Sequence, residues 1–313
     1  MGDAFLDRTE SWLAVLEAEH AVIMAEADAG LSVPDARRPL FRHEVRAGVR
    51  FGDIAETYAR AEKLVTEAIT AAKQELLSVL GGLLPSGGSR EAVLARLTEL
   101  ELSPPEELRV VVERLAASLD GVFAEVWVAG RDGLRWEAQS QGVDVLSRPS
   151  SRMARQAARR SAAFAVAAGL FRQAMQAAVD AANDPRATSL IAAVLGAVEK
   201  HEFKGVVDQA RQETHVEHGS GRWAGLDGLP EPEYAYAGEL LDSNTCHECA
   251  AIDGYQFEDL AEAERYYPQS GPMVACRGGF RCRGTLVIEF VPDAPDDEGL
   301  PEPPHRPELP RLD

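Results

Sequence analysis

Residues 241–290, LDSNTCHECAAIDGYQFEDLAEAERYYPQSGPMVACRGGFRCRGTLVIEF, contain all four cysteines of this 313-residue chain. Cys246 and Cys249 form a C-x2-C motif, and Cys276 and Cys282 form a C-x5-C motif. Four thiols confined to one short segment indicate a local cross-link. Two chemistries fit this pattern, a metal site with four cysteine ligands or a pair of disulfides.

Metal binding is the favoured interpretation, and zinc is the expected ion. A tetrahedral zinc site needs sulfur atoms about 2.3 Å from the metal, and C-x2-C supplies two of them from one tight turn. Gly278 and Gly279 permit the second pair to lie on a sharply folded loop. Arg277, Arg281 and Arg283 are available to offset the charge of four thiolates. Disulfides or buried free thiols come second, and redox use comes third because no βαβ setting is visible.

Two runs that flank the cysteine loops have the composition of β-strands. They are YAYAGELL at 234–241 and TLVIEFV at 285–291, and we expect them to pair as neighbours in a small sheet. Residues 255–257 are a candidate short third strand. The metal or cross-link would then stabilise a domain whose own core is small. A site closed by four cysteines would be structural, because catalytic zinc keeps one coordination position open for water.

Upstream of this segment, the strongest periodic pattern in the chain runs from 54 to 80. Apolar residues recur there at intervals of three and four, which predicts one face of a long helix packed against another helix. They are Ile54, Tyr58, Ala61, Val65, Ile69, Ala72, Leu76 and Leu80. Shorter helices are expected at 90–100 and 105–119. Residues 122–136 contain a β-rich run and a Gly-Arg-Asp-Gly turn, which favours a hairpin.

An Ala-rich helix is predicted over 151–183, with a buried stripe formed by Phe164, Ala168, Phe171, Met175 and Val179. Further helices are expected at 6–28, 187–199 and 204–215. The acidic, proline-rich residues 292–313 are expected to be an extended, disordered tail.

The predicted fold is therefore mainly α. A helical N-terminal region with long helices precedes a small C-terminal α+β domain held by the four-cysteine site, zinc or disulfide. The expected units are an N-terminal helical domain at 1–122, a hairpin plus Ala-rich helical region at 123–200, the four-cysteine domain at 201–291 and the tail at 292–313.

The formal charge of −19 argues against a surface devoted to duplex DNA. One basic face interrupts this acidity, formed by Arg152, Arg155 and Arg159 with Arg160 beside them. A solvated helix face is the favoured interpretation, and a patch that docks onto an acidic partner or nucleic acid is the alternative. The N-terminus lacks the pattern of a signal peptide, and no run approaches the ~20 apolar residues of a membrane span. We therefore expect a soluble protein made in the cytoplasm.

Three stretches together resemble the phage minor head protein family, the phage Mu F-like head morphogenesis proteins. They are VVDQARQETHVEHGSGRWAGL at 206–226, EYAYAGELLDSNTCHECAAIDGYQF at 233–257 and CRGGFRCRGTLVIEF at 276–290. The family pattern has an Arg-Thr-Glu-type helical element, Asp-x-x-Thr-Cys-x-x-Cys after a strand, an aliphatic-Asp-Gly segment and a Cys-Arg-Cys-Thr-like end.

The match is closest in the central pattern, which this chain carries at Asp242, Thr245, Cys246, Cys249 and Asp253-Gly254. Gln212-Glu213-Thr214 stands at the Arg-Thr-Glu element, and Cys282-Arg283-Gly284-Thr285 matches the end loosely. Cys276 stands where the family commonly has a histidine, and Gly284 stands where it often has a cysteine. The resemblance covers about residues 204–290.

The resemblance implies a non-enzymatic minor capsid protein that acts in head morphogenesis at the portal vertex. The implied partners are the portal protein, the major capsid or scaffold protein and packaged DNA, with no membrane and no small-molecule substrate. The implied location is the virion head, and the host cytoplasm during assembly.

Two alternatives remain open from the residues themselves. A zinc-dependent nuclease or other hydrolase acting on nucleic acid would need His215 and His218 to converge with a metal and with Glu213 or Asp242. The simpler interpretation of the two histidines is capping and surface contacts before the turn Gly219-Ser220-Gly221. The other alternative is an interaction adaptor that exposes the 54–80 face.

Overall fold

The computed structural model describes residues 42–145, 152–239, 245–269, 273–279, 282 and 284–290. The predicted helix at 6–28 and the predicted tail at 292–313 lie outside these ranges, as does Asp242. The elements are, in chain order, α1 (Arg42–Ala47), α2 (Phe51–Leu83), α3 (Arg90–Leu102), α4 (Glu106–Ser140), α5 (Arg152–Asn183), α6 (Leu190–Lys200), α7 (Lys204–Gly225), β1 (Tyr234–Glu239), α8 (His247–Ile252), β2 (Gln256–Phe257), α9 (Leu260–Tyr266) and β3 (Gly284–Glu289).

The structure confirms the predicted fold class, with long helices followed by a small α+β module. All eight apolar positions predicted for the 54–80 face are buried along α2. From Ala61 onward they join one core shared with α3 to α7. Because this face is buried within the chain, it is not available as the exposed docking surface that the adaptor hypothesis requires.

The hairpin predicted at 122–136 is wrong, because α4 is one continuous helix through this stretch. Val122, Phe123, Val126 and Trp127 continue its buried stripe at helical spacing. Gly130 marks a close helix crossing instead of a turn, since a Cβ there would overlap the carbonyl of His218 in α7. The helix therefore also runs across the domain boundary expected between residues 122 and 123.

The predicted end of α7 near His215 is also wrong, because the helix continues to Gly225. The glycines of Gly219-Ser220-Gly221 do not form a turn. A Cβ on Gly221 would overlap the carbonyl of Trp127 in α4, so Gly221 and Gly130 allow the two helix backbones to approach each other. Small residues at a helix crossing thus account for a pattern that resembles a loop in the sequence.

The Ala-rich helix α5 is present, although its buried stripe differs from the prediction. Phe171 and Met175 are buried, whereas Phe164 is 53% exposed. The residues that share the core are mostly small: Ala163, Val166, Ala167, Leu170, Ala174, Ala178 and Ala182. Residues Arg155–Asn183 are long and apolar enough to span a membrane, but half of their most apolar window is buried inside the fold. A core helix has the same properties.

Two arginines of the basic face of α5 form ion pairs with neighbouring helices. Arg155 pairs with Glu217 of α7 at 2.7 Å, and Arg159 pairs with Asp120 of α4 at 2.6 Å. Their side chains are only 24% and 13% exposed, so the solvated-face interpretation is wrong for these two arginines. Arg160 is 65% exposed and lies 3.6 Å from Asp120, and the side chain of Arg152 is outside the described part of the chain.

The three strands form an antiparallel sheet in the order β2-β1-β3, which confirms the predicted pairing of the two flanking strands. Side chains from the helical region form hydrogen bonds with backbone groups of β3, on the edge that faces away from β1. Arg222 donates to the Leu286 carbonyl at 2.8 Å, and Gln141 donates to the Ile288 carbonyl at 3.0 Å. The side-chain oxygen of Gln141, Oε1, accepts from Phe290 N–H at 2.7 Å. This edge is therefore closed to another strand.

Arg222 also forms a buried, bidentate ion pair with Glu137 of α4, at 2.8 and 2.7 Å. The two side chains are 5% and 3% exposed. Burial raises the pKa of Glu137, and the neighbouring Arg222 opposes this shift. The pair joins α4 to α7, and the third hydrogen bond of Arg222 joins both helices to the α+β module.

Candidate metal centre

The four cysteines come from two loops that meet beside the sheet. Cys246 immediately precedes α8, and Cys249 lies in its first turn. Cys276 and Cys282 lie in the segment that leads into β3. All four sulfur atoms lie within 4.8 Å of one another, so the residues predicted as ligands converge and are able to hold a metal ion.

The distances fit a metal site better than disulfide bonds. All four cysteines carry free thiols, and the Cys246 and Cys276 sulfur atoms are 4.0 Å apart. A tetrahedral ion with 2.3 Å bonds to sulfur would place its ligands about 3.8 Å apart. A disulfide needs a separation of about 2.05 Å. Small adjustments of the side chains are therefore enough to complete a tetrahedral set.

The backbone around the sulfur atoms is closely fitted to them. The Cys246 N–H donates to the Cys282 sulfur at 3.2 Å. Position 278 has room only for glycine, because a Cβ there would overlap that same sulfur. Gly279 has a φ of +56°, in the left-handed region that favours glycine. Both glycines thus shape the loop, as the sequence predicted.

Hydrogen bonding among the thiols makes their acidities unequal. The Cys249 and Cys282 thiols lower the pKa of Cys276 to about 4. Hydrogen bonds with Cys276 and Cys282 raise the pKa of Cys249. Because only thiolates bind metal, ion binding must release the protons that these groups share.

Arg277, one of the three arginines expected to offset the thiolate charge, pairs with a carboxylate. Arg277 is 83% exposed and forms an ion pair with Glu248 at 3.0 Å. Arg281 and Arg283 lie outside the described residues. His247, between the first two cysteines, is exposed and is not among the converging ligands.

A buried polar group beside the cluster was not identified from the sequence. Glu239, the last residue of β1, is 1% exposed and accepts a hydrogen bond from the Tyr267 hydroxyl at 2.6 Å. Its backbone N–H donates to Asp253 at 2.8 Å. Burial raises the pKa of Glu239 well above its ordinary value, and the charges of Asp253, Cys282 and Cys246 act in the same direction. A Cβ on Gly284 would overlap its carboxyl group.

The sequence offered one partial signal for this group, Asp253-Gly254. An Asp-Gly pair is typical of a turn between two strands. In the structure Asp253-Gly254 joins α8 to β2, and Gly254 has a φ of +79°. The Asp253 carboxylate accepts a hydrogen bond from the backbone N–H of Glu239 at the end of β1.

In the part of the chain that the structure describes, the candidate catalytic residues do not converge on a metal site. His215 and His218 are buried within α7, where the His215 ring stacks on Tyr58 with 4.2 Å between centroids. The capping and surface interpretation of these histidines is therefore wrong. Burial lowers the pKa of His218 to about 3, so its ring is neutral near pH 7. Among the described residues, the four cysteines are the one group of three or more His, Cys, Asp or Glu side chains arranged to hold a metal.

The fold and the site together define a mainly helical protein whose small C-terminal α+β module surrounds a four-cysteine cluster able to hold a metal ion. No family model, curated protein or solved structure matches the chain.

Proposed function

We propose that this protein is a non-enzymatic structural component of a tailed-phage head, or of a prophage-derived particle, and that a zinc ion fixes its C-terminal module. The observation that carries the proposal is the coincidence of two features at the same residues. The Asp-x-x-Thr-Cys-x-x-Cys pattern that resembles the phage minor head family supplies two of the four cysteines that converge in space.

Zinc is proposed because of the donor set. Four thiolates are soft ligands, and zinc commonly takes four of them in closed tetrahedral sites. With all four positions supplied by Cys246, Cys249, Cys276 and Cys282, none is left for a reacting water. The ion would join the start of α8 to the segment before β3. Its role would be to stabilise a module with a small core.

Metal analysis of the purified protein tests this part of the proposal. We expect one zinc ion per chain, and loss of zinc together with cooperative unfolding of the module in Cys246→Ser or Cys282→Ser. A chain that is fully folded without metal, with thiols that titrate freely, would contradict a structural zinc ion.

In the proposed role, the protein offers rigid docking surfaces at the portal vertex. The helices α2 to α7 share one core, and Arg222 and Gln141 connect that core to the module. Because these side chains cover the edge of β3, a partner would bind side-chain surfaces and would not add a strand there.

The proposed partner is the portal protein, with the major capsid or scaffold protein and packaged DNA as further candidates. Co-expression with the portal protein encoded in the same genome should yield a complex that co-purifies, and assembled heads should contain this chain. Its absence from purified heads, under conditions in which the portal is retained, would count against the proposal.

A nuclease or other hydrolase remains the alternative function. The proposal does not include catalysis, because His215 and His218 are packed against Tyr58. Among the described residues, these histidines and Glu213 do not form a cluster that could hold a metal ion. A nuclease assay on single-stranded and duplex DNA tests this directly. Zinc-dependent cleavage that is lost in Glu213→Ala, with the fold retained, would favour the alternative.

A further inference from the structure

The four cysteines of the cluster differ in their access to solvent. Cys249 and Cys282 are buried, with 1% and 2% of their surface exposed, whereas Cys246 and Cys276 are only partly buried. All four sulfur atoms lie within 4.8 Å of one another, so distance alone does not select a pair for cross-linking. Because a dissolved oxidant must reach the sulfur atom, exposure selects the pair that reacts.

Cys246 and Cys276 form the solvent-accessible side of the cluster, and each comes from a different loop. Their sulfur atoms are 4.0 Å apart. Exposed residues follow both of them in the chain, His247 and Arg277. A disulfide needs a separation of about 2.05 Å between the sulfur atoms. Side-chain rotations that close this gap would link the start of α8 to the segment before β3.

The other two sulfur atoms are enclosed by the protein. The Cys282 sulfur accepts the Cys246 N–H at 3.2 Å and packs so closely on Gly278 that a Cβ there would overlap it. Cys249 belongs to the apolar core of the α+β module. These contacts leave both sulfur atoms with little surface that a solute can approach.

We infer that Cys246 and Cys276 are an oxidation site, which forms a reversible disulfide with a peroxide and replaces the metal ion as the cross-link of the module. The disulfide rests on the positions of the thiols, whereas the release of zinc rests on the proposed function. The bond joins the same two segments as the ion. The module therefore stays cross-linked when the protein passes from a reducing to an oxidising environment.

The chemistry has two steps. One thiolate of the pair attacks a peroxide oxygen, so that an S–O bond forms, the O–O bond breaks and hydroxide leaves. The other thiolate then attacks this sulfur, so that the S–S bond forms, the S–O bond breaks and a second hydroxide leaves. The two sulfur atoms lose two electrons and the peroxide gains them. Each hydroxide takes up a proton from solvent and becomes water.

Formation of the bond removes two of the four metal ligands. Cys249 and Cys282 remain, and two thiolates cannot close a tetrahedral site. Since metal affinity depends on the full ligand set, oxidation should release the ion. Reduction of the disulfide should restore all four ligands.

Peptide mapping of the full chain tests the inference. The zinc-loaded protein is treated with an equimolar amount of hydrogen peroxide, and the remaining thiols are blocked with N-ethylmaleimide in denaturant. Cleavage after Glu248 separates Cys246 from Cys249, and cleavage after Arg277 and Arg281 separates Cys276 from Cys282. Mass spectrometry without reduction then identifies each cross-link. A chromogenic chelator measures the zinc that is released.

We expect the Cys246–Cys276 disulfide as the main product, with zinc lost in step with its formation. Dithiothreitol and added zinc should restore the metal content. A main product with any other pairing, cross-links between chains, or oxidation to sulfinic or sulfonic acid would overturn the inference. Zinc retained after the disulfide has formed would overturn the proposed exchange.

The same chain unfolded in urea with a chelator is the control for the role of the fold. Thiols that are close in sequence meet most often in an unfolded chain. The expected products are therefore Cys246–Cys249 and Cys276–Cys282. Predominance of the Cys246–Cys276 disulfide in the unfolded chain as well would contradict selection of this pair by the structure.

Failure of the zinc proposal can be told apart from failure of this inference. If the purified chain holds no zinc, the zinc proposal fails, and the mapped cross-link still decides whether Cys246 and Cys276 are the oxidation site. If the chain holds zinc but peroxide does not form this disulfide, only the present inference fails.

Urea unfolding gives a second readout. The oxidised chain should unfold its module at a higher urea concentration than the reduced, chelator-treated chain, because the disulfide keeps the two segments joined. Equal or lower midpoints for the oxidised chain would contradict a disulfide that replaces the ion as a cross-link.

Discussion

The buried Glu137–Arg222 pair leads to a quantitative prediction about how the helices hold the α+β module. Removing one charge leaves the other buried and unpaired, which typically costs about 3–5 kcal/mol. We therefore expect Glu137→Leu and Arg222→Met each to lower the free energy of unfolding by this amount. Arg222→Met should be the more severe change, because it also leaves the Leu286 carbonyl without its 2.8 Å hydrogen bond.

The double variant, Glu137→Leu with Arg222→Met, should be far less destabilised than the sum of the two single changes. Two apolar side chains that fill similar volume replace a pair whose desolvation offsets much of its attraction. Urea unfolding of the four proteins gives the coupling energy, which we expect to exceed about 2 kcal/mol in favour of the pair.

An exposed ion pair between α2 and α4 serves as the control. Arg60 and Glu125 are 3.1 Å apart, but their side chains are 71% and 62% exposed. The same cycle at this pair should give about 1 kcal/mol or less, because water screens exposed charges. Additive effects at Glu137 and Arg222, or equal coupling at both pairs, would refute the reasoning.

Three further predictions concern the cysteine loop, pH and the edge of β3. Gly278→Ala should abolish zinc binding measured by metal analysis, because its Cβ would overlap the Cys282 sulfur, whereas Gly82→Ala, with open space around it, should leave zinc content unchanged; equal zinc in both would contradict the site geometry. His218 has a folded-state pKa of about 3 against 6.5 when unfolded, so the unfolded chain binds more protons between these values and stability should fall as pH drops through this window. The slope approaches about 1.4 kcal/mol per pH unit, and His218→Phe should remove it in urea unfolding at pH 4 to 7; an unchanged slope would argue against a buried neutral ring. Gln141→Ala should cost about 1–3 kcal/mol and speed hydrogen exchange at Phe290, since the variant leaves edge groups of β3 without partners; unchanged exchange would show that this edge is held by other contacts.

Local patterns predicted the helical region well where burial follows a regular period. The 54–80 face is an example, since an amphipathic helix buries the residues that recur at its own repeat. The same approach failed at 122–136 and at 219–221. Both stretches have the glycine-rich composition of turns, yet Gly130 and Gly221 lie where α4 and α7 cross. Whether a glycine ends a helix or admits a neighbouring backbone depends on residues that are distant in the sequence.

For the candidate site, the sequence by itself predicted the four cysteines that converge and the glycines between the second pair. Cysteine is chemically distinctive, and its spacing limits how the loops can fold. Only the tertiary structure placed Glu239 and Tyr267 beside the cluster, buried His218, and connected the module through Arg222 and Gln141. The partners of these side chains lie far away in the chain: 85 residues separate Glu137 from Arg222, and 147 separate Gln141 from Ile288. A buried polar residue is stable only with partners, and packing across the whole fold decides which partners are near.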